Sequence, residues 1–344
     1  MEPDTYFTGP FDDDAAMGLA IQVAAQSRLW TAPNPWVGAV LLDAQRQVVA
    51  TGRTQPPGGP HAEAMALREA GRLAKSATLV VTLEPCSHHG RTPPCADAVI
   101  EAGITRVVVA VRDPDVKVAG QGIQRLRDAG IEVIEGVGAS LVEEQLKPYL
   151  HQRRTGRPFV VLKLAMTLDG RIAAPDGTST WITGEEARRD VHQLRSECDA
   201  ILVGAGTVRA DDPSLTVRMV EGRDPARYVL GLVAKTAKVQ PCVELQGELT
   251  EVLDELGRRG HLQLLVEGGA SVARTFHRAD LIDQYYVYIA PALLGGDDGR
   301  PLFAGPGAPT ISDLWRGSFR SVTQLGADIR VILDRAATIA PSAR

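Results

Sequence analysis

Three side chains suited to a single metal ion, His61, Cys86 and Cys95, lie in two short segments, and any fold of this chain must bring them together. His61-Ala62-Glu63 follows a Gly58-Gly59-Pro60 break and opens a stretch read as a helix over 61–74. Pro85-Cys86 follows the apolar, β-rich run 77–83, and Cys95 comes after an intervening loop. One imidazole and two thiolates leave a fourth tetrahedral position open, the arrangement of a catalytic zinc. A Glu two residues after the His is no ligand in such a site but moves protons beside it. Cys86 is expected at the start of a helix or loop whose positive end favours its thiolate. The loop Ser87-His88-His89-Gly90-Arg91-Thr92-Pro93-Pro94 makes the Cys spacing longer than the usual two residues and adds a cation suited to a phosphorylated ligand. His88 or His89 as a fourth ligand would instead close the site and make the zinc structural.

The pattern around these segments is that of an α/β fold. A helix is expected over 12–29, strands over 36–42, 48–52, 77–83, 105–111 and 132–136, and helices over 122–129 and 140–150. Such alternation predicts a sandwich with a largely parallel sheet. At 344 residues the chain is too long for one core. Residues 151–158 (HQRRTGRP), polar and Gly/Pro-bearing, are the expected linker between domains over 1–150 and 159–344. Beyond it a second α/β pattern runs: strands 159–166, 200–204, 262–267 and 284–290, a helix 185–198 capped by Thr183, and a helix 271–279. Gly268-Gly269 stands between a strand and that last helix, where backbone N–H groups can meet a phosphate. No G-x-G-x-x-G follows a first strand, so an ordinary Rossmann domain is not expected. Arg195 and Arg218 are cations in otherwise neutral stretches, suited to bidentate phosphate binding.

Composition narrows the function classes. A formal charge of −5 argues against sequence-independent nucleic-acid binding. No apolar run is long enough for a membrane helix, and the acidic residues 1–14 lack the features of an export signal. Cys198 and Cys242, far apart in sequence, are expected as reduced thiols of a cytoplasmic protein. Asn34, on a stiff Pro33-Asn34-Pro35 loop, offers an amide that can read a pyrimidine edge.

The segments PNPWVGAV, HAE and EPCSHHGRTPPC together resemble the deaminase half of the bifunctional riboflavin-biosynthesis deaminase–reductases. Asp113-Pro114, Lys117 and Gly120-Gln121-Gly122 fit a further segment of that family. The resemblance implies a cytidine-deaminase-like three-layer α/β/α domain with zinc on His61, Cys86 and Cys95. It also implies Glu63 as proton shuttle and a substrate loop of Asn34, His88 and Arg91. The segments around Lys163-Leu164-Ala165, Leu168-Asp169-Gly170, Ser179–Thr183 and Ala210–Arg218 are similar to the reductase half, which is dihydrofolate-reductase-like and uses NADPH. By that resemblance Ala165, Trp181, Thr207, Asp211, Gly269, Ala270, Ser271, Val272, Ala273, Arg274 and Thr275 contact NADPH. Ser179, Arg195, Leu215, Arg218 and Glu267 hold the substrate. Thr167 stands where the family usually has Ser, and the stretch 228–248 reads as shortened, without a clear second β-rich run. The implied function is zinc-dependent deamination of a phosphoribosylamino-diaminopyrimidinone followed by NADPH reduction of its ribosyl chain, in a cytoplasmic homo-oligomer (dimer or tetramer). A non-catalytic zinc-stabilised binding module and a nucleoside or tRNA deaminase are the alternatives.

Overall fold

Helices and strands alternate through most of the computed structural model, which describes residues 10–87, 93–116 and 118–335. The chain divides into two compact units, Met1–Gly156 and Arg157–Arg344.

In the first unit Asp12 caps α1 (Asp13–Ala25), its carboxylate accepting the Ala15 N–H at 2.8 Å. This helix ends four residues short of the expected 29. The sheet runs β2–β1–β3–β4–β5, formed by β1 (Gly38–Leu42), β2 (Val48–Arg53), β3 (Thr78–Leu83), β4 (Arg106–Val111) and β5 (Glu132–Glu135). β1 is antiparallel to β2 and β3, so the sheet is mixed rather than largely parallel; only β3–β4–β5 are parallel. Two glycines set the packing. A Cβ on Gly38 would lie 1.9 Å from the Ala20 carbonyl oxygen, and one on Gly52 2.0 Å from that of Ala62. Only glycine lets α1 and α2 (Ala62–Ala70) lie that close to the sheet, and the second contact seats the residue after His61.

The unit closes with α3 (Cys95–Glu101), α4 (Gln121–Asp128), α5 (Ala139–Gln145) and α6 (Lys147–Thr155). The linker expected over 151–158 is therefore corrected: helix runs through its first five residues. Gly156, at φ 76°, accepts the left-handed cap that ends α6. Arg153 and Arg154 suit the negative end of that helix, and Tyr149, Leu150 and Gln152 are buried. A polar, basic sequence read as a loop was a helix terminus.

In the second unit an eight-stranded sheet runs β10–β9–β8–β11–β6–β12–β15–β14. Its members are β6 (Phe159–Thr167), β8 (Ala200–Gly204), β9 (Ala226–Leu230), β10 (Val243–Leu245), β11 (Gln263–Val266), β12 (Gln284–Ala290), β14 (Gly317–Leu325) and β15 (Asp328–Arg335). The short β7 (Arg171–Ala173) and β13 (Arg300–Pro301) pair separately. Strands β10 to β12 are mutually parallel where they pair, and β15 and β14 join antiparallel. Alternate residues of β6 feed two cores. Val160, Leu162 and Leu164 pack with α9 (Leu249–Arg258) and α10 (Ala270–Arg278), while Phe159 and Val161 pack with Leu194 of α7 (Glu185–Glu197) and Val208 of α8 (Ala205–Asp211). Both faces of the sheet are thus covered, giving the α/β class expected.

Two details differ from the sequence reading. Gly184, not Thr183, is the N-cap of α7; its N–H is taken by the Asp328 carboxylate at 2.7 Å from β15, a partner no local pattern reveals. The stretch 228–248 does hold a second strand, β10, but of three residues only, paired in parallel with β9.

Candidate functional site

His61 precedes the first residue of α2, Cys86 lies three residues past β3, and Cys95 opens α3. Their ligand atoms all lie within 4.8 Å of one another. His61 Nδ1 is 3.3 Å from Cys95 Sγ and 3.6 Å from Cys86 Sγ. Tetrahedral zinc with bonds of about 2.0 Å to nitrogen and 2.3 Å to sulfur spaces such atoms by roughly 3.6 Å, so the donor set fits that ion. The Cys95 N–H, at the start of α3, points at Cys86 Sγ from 3.4 Å. Hydrogen bonds from Cys95 bring the Cys86 thiol down to about 4 against its burial, and His61 adds to the effect, while Cys95 is pushed up. Of the helix or loop expected at Cys86 the structure has the loop, and the thiolate-favouring helix end is that of α3, which carries Cys95.

Glu63, in the first turn of α2, is 3 % exposed. Burial pushes its carboxyl up to about 7, His61 opposing and Cys86 adding. A carboxyl poised there can take a proton and return it near neutral pH. His61, Glu63 and Cys86 line a cavity of about 390 Å³ together with Asn34. Asn34 is fixed by its N–H to the Thr31 carbonyl at 2.8 Å. His88, His89, Arg91 and Lys117 lie outside the described residues. Several cavity residues escaped the sequence reading or appeared there only within a motif: Glu84, Asp113, Asp115, Tyr149 and Arg153. The Tyr149 hydroxyl donates to Asp113 at 2.9 Å, and the Arg153 guanidinium stacks on the Tyr149 ring at 4.8 Å with its Nε 3.2 Å from Asp115. Both Tyr149 and Arg153 come from α6; Tyr149 lay within the helix expected over 140–150, whereas reading 151–158 as linker hid Arg153.

In the second unit the expected residues gather at the carboxyl ends of β6, β8 and β11. Arg195 Nε and Nη2 donate to Glu267 at 2.6 and 2.9 Å, a nearly buried bidentate pair. The Arg195 fork, expected for phosphate, is thus occupied by a carboxylate. Burial opposes ionisation of Glu267, but Arg195, with Lys163 and His192 near, holds its carboxyl below the usual range. Lys163, quoted in a motif but given no role, lies in this cluster; desolvation lowers its ammonium pKa against the pull of Glu267. Arg218 is exposed, donating to Thr216 Oγ1 at 2.7 Å, and its N–H is accepted by His192 Nδ1 at 3.1 Å. Leu215 is 3 % exposed and holds φ 54°.

Gly269 caps α10, and its N–H is accepted by the Thr207 hydroxyl at 3.2 Å, which joins two segments expected to meet the cofactor. A Cβ on Gly268 or Gly204 would press on Val272, so these turns require glycine. Ala270, Ser271, Val272, Arg274 and Thr275 follow in the helix, and the Thr275 hydroxyl is spent on the Ser271 carbonyl. Ala273, expected with them, is 0 % exposed and packs its side chain in the core beside Phe276. Asp211 ends α8 and is exposed. Ser179 and Trp181 line a smaller cavity of about 160 Å³ with Thr167 and Arg171, and Trp181 is stacked at 4.6 Å by Arg188. Ala165, on β6, packs toward Val191 and Tyr288.

Comparisons with known proteins match both halves. Residues 11–111 match the cytidine and deoxycytidylate deaminase zinc-binding region, and residues 158–331 match the RibD C-terminal domain. The chain is 45% identical over 334 residues to the riboflavin biosynthesis protein RibD of Mycobacterium tuberculosis, covering 93% of this chain and 96% of that one. It is 39% identical to the Escherichia coli protein of the same name, covering 92% and 98%. Among solved structures, Acinetobacter baumannii RibD superposes with a TM-score of 0.89 at 37% identity, covering 94% and 99%. A diaminohydroxyphosphoribosylaminopyrimidine deaminase/5-amino-6-(5-phosphoribosylamino)uracil reductase from Thermotoga maritima superposes with a TM-score of 0.85 at 36% identity, covering the same shares.

Proposed function

The chain belongs to the RibD family of bifunctional riboflavin-biosynthesis deaminase–reductases, and from that premise we propose the substrate, cofactor and residue roles that follow. The first unit deaminates 2,5-diamino-6-(5-phosphoribosylamino)pyrimidin-4(3H)-one, and the second reduces the ribosyl chain of the product to ribityl with NADPH. The observation that carries the reading is a buried Glu63 beside an imidazole–dithiol set with a cavity in front of it.

His61, Cys86 and Cys95 would hold zinc, which when bound makes water nucleophilic at neutral pH. Glu63 takes the proton of the water attacking C2 and hands it to the departing amine, for which its raised pKa suits it. Asn34 reads the ring edge from its fixed loop, and His88 and Arg91 are assigned to the substrate loop. In the second unit Gly269, Ala270, Ser271, Val272, Arg274 and Thr275, with Thr207, Asp211, Ala165 and Trp181, would hold NADPH, which supplies hydride to C1′ of the ring-opened imine. Ser179, Leu215 and Arg218 bind the ribose-phosphate, and Glu267, oriented by Arg195, faces the ribosyl chain. Lys163 joins them as a neighbour whose charge helps hold Glu267 ionised. Among the described residues no helix is long and apolar enough to cross a membrane. We place the enzyme in the cytoplasm as a homo-oligomer acting on small molecules, not nucleic acid.

The test is ammonia release paired with NADPH oxidation at 340 nm on that pyrimidine. Both signals support the reading, whereas turnover of cytidine or of adenosine in tRNA in their place would contradict it.

A further inference from the structure

Glu84 is buried at 4 % exposure, lies two residues before the zinc ligand Cys86, and has no part in the proton transfers above. Its carboxylate accepts four backbone N–H groups. Oε2 takes those of Asp113 at 3.2 Å and Gly120 at 3.0 Å; Oε1 takes those of Gly122 at 2.9 Å and Ile123 at 3.2 Å. A carboxylate offers about four lone-pair positions, and here each has a donor. The four donors bracket the segment that supplies Asp113, Asp115 and Val118 to the wall of the deaminase cavity. They also include the first turn of α4, which lacks a side-chain cap from its own N-cap residue, Gly120. The two chain segments touch at a second point: a Cβ on Gly122 would lie 1.9 Å from the Pro85 carbonyl oxygen.

We propose that Glu84 is the positioning residue that fixes the substrate-facing wall, Asp113, Asp115 and Val118, against the zinc loop. It acts through Asp113. The Asp113 backbone is held by Glu84, while its carboxylate is oriented from the other side by the Tyr149 hydroxyl and the Asp115 N–H at 2.9 Å. The metal and the substrate wall belong to loops with no other carboxylate common to both among the hydrogen bonds described. One side chain therefore sets where the groups that bind and orient the ring stand relative to the metal, and loosening them weakens substrate binding more than it slows the chemical step. A role confined to capping α4 would need only the Gly122 and Ile123 bonds.

This inference rests on the deaminase assignment above, and its test has a readout that needs no substrate. Glu84→Gln keeps shape but turns two acceptor positions into donors facing N–H groups. Hydrogen exchange over 113–123 should accelerate by about tenfold or more, and the KM for the diaminopyrimidine should rise by about tenfold, the equivalent of ~1.4 kcal/mol. Deaminase kcat should stay within about threefold, an effect of binding rather than chemistry. Zinc content and reduction of the deaminated intermediate should match the wild type. Glu84→Asp, which keeps the charge, should recover part of the KM loss. Unchanged exchange and KM would overturn the proposal. A parallel loss of zinc and of reduction would overturn it too, since Glu84 would then support the folding of the whole chain. Should the wild type release no ammonia from this pyrimidine, the substrate assignment fails while the exchange result still decides the role of Glu84.

Discussion

The two sites are built on different principles. In the first unit the chemistry is concentrated in His61, Glu63, Cys86 and Cys95, near the starts of α2 and α3 and the end of β3, with a wall assembled from distant segments. In the second unit no residue dominates; the cluster of Lys163, Arg195, His192 and Glu267 is spread over β6, α7 and the end of β11. A metal demands fixed donors at fixed distances, whereas the dinucleotide and sugar phosphate proposed for the second unit would distribute the demand over backbone turns and shape.

That difference predicts how each site breaks. The largest effect should come from Cys86→Ser, which removes a donor outright. Zinc should be lost and ammonia release fall to background, with reduction of the deaminated intermediate retained. Metal analysis beside the two assays checks this, and retained zinc would refute the ligand set. Next is Arg195→Met, which leaves the Glu267 carboxylate buried and unpaired. Breaking such a pair costs about 3–5 kcal/mol. The melting transition of the second unit should fall accordingly, and Arg195→Met combined with Glu267→Leu should recover much of it in the same scan.

The smallest effect concerns pH. Burial, with Arg195 and Arg218 near, lowers His192 to about 4, and its neutral Nδ1 accepts the Arg218 N–H. The unfolded chain binds that proton near pH 6.5 and the folded one only near 4, so protonation favours unfolding. The stability His192 contributes is complete above about 6.5 and is lost as pH falls toward 4. The slope of the second transition across that window should flatten in His192→Gln, and an unchanged slope would remove His192 from the account.

How much of this was legible followed the same division. The metal set could be read because residue type, order and the preceding Gly-Pro break all pointed one way. The β/α alternation was legible from apolar runs such as those of β3, β4 and β6. What failed was what long-range contact decides. HQRRTGRP looked like a linker because it is polar and carries Gly156 and Pro158, although Gln152 is buried and Arg153 stacks on Tyr149 within the unit. The antiparallel placing of β1 beside β3 depends on pairings no local pattern carries. Arg195 read as a free cation because its partner, Glu267, lies 72 residues away. Ala273 was carried along with its neighbours, although helical periodicity turns it into the core.

The central claim is that Glu63 carries the protons of the first reaction in a unit whose chemistry is separate from that of the second. It is tested most directly by Glu63→Gln, assayed for zinc, for ammonia release, and for NADPH oxidation on the already deaminated intermediate. The account predicts bound zinc, undiminished reduction, and ammonia release slowed by about 10²–10⁴-fold, the usual contribution of positioned proton transfer. Ammonia release at the wild-type rate, or loss of both reactions together, would contradict it.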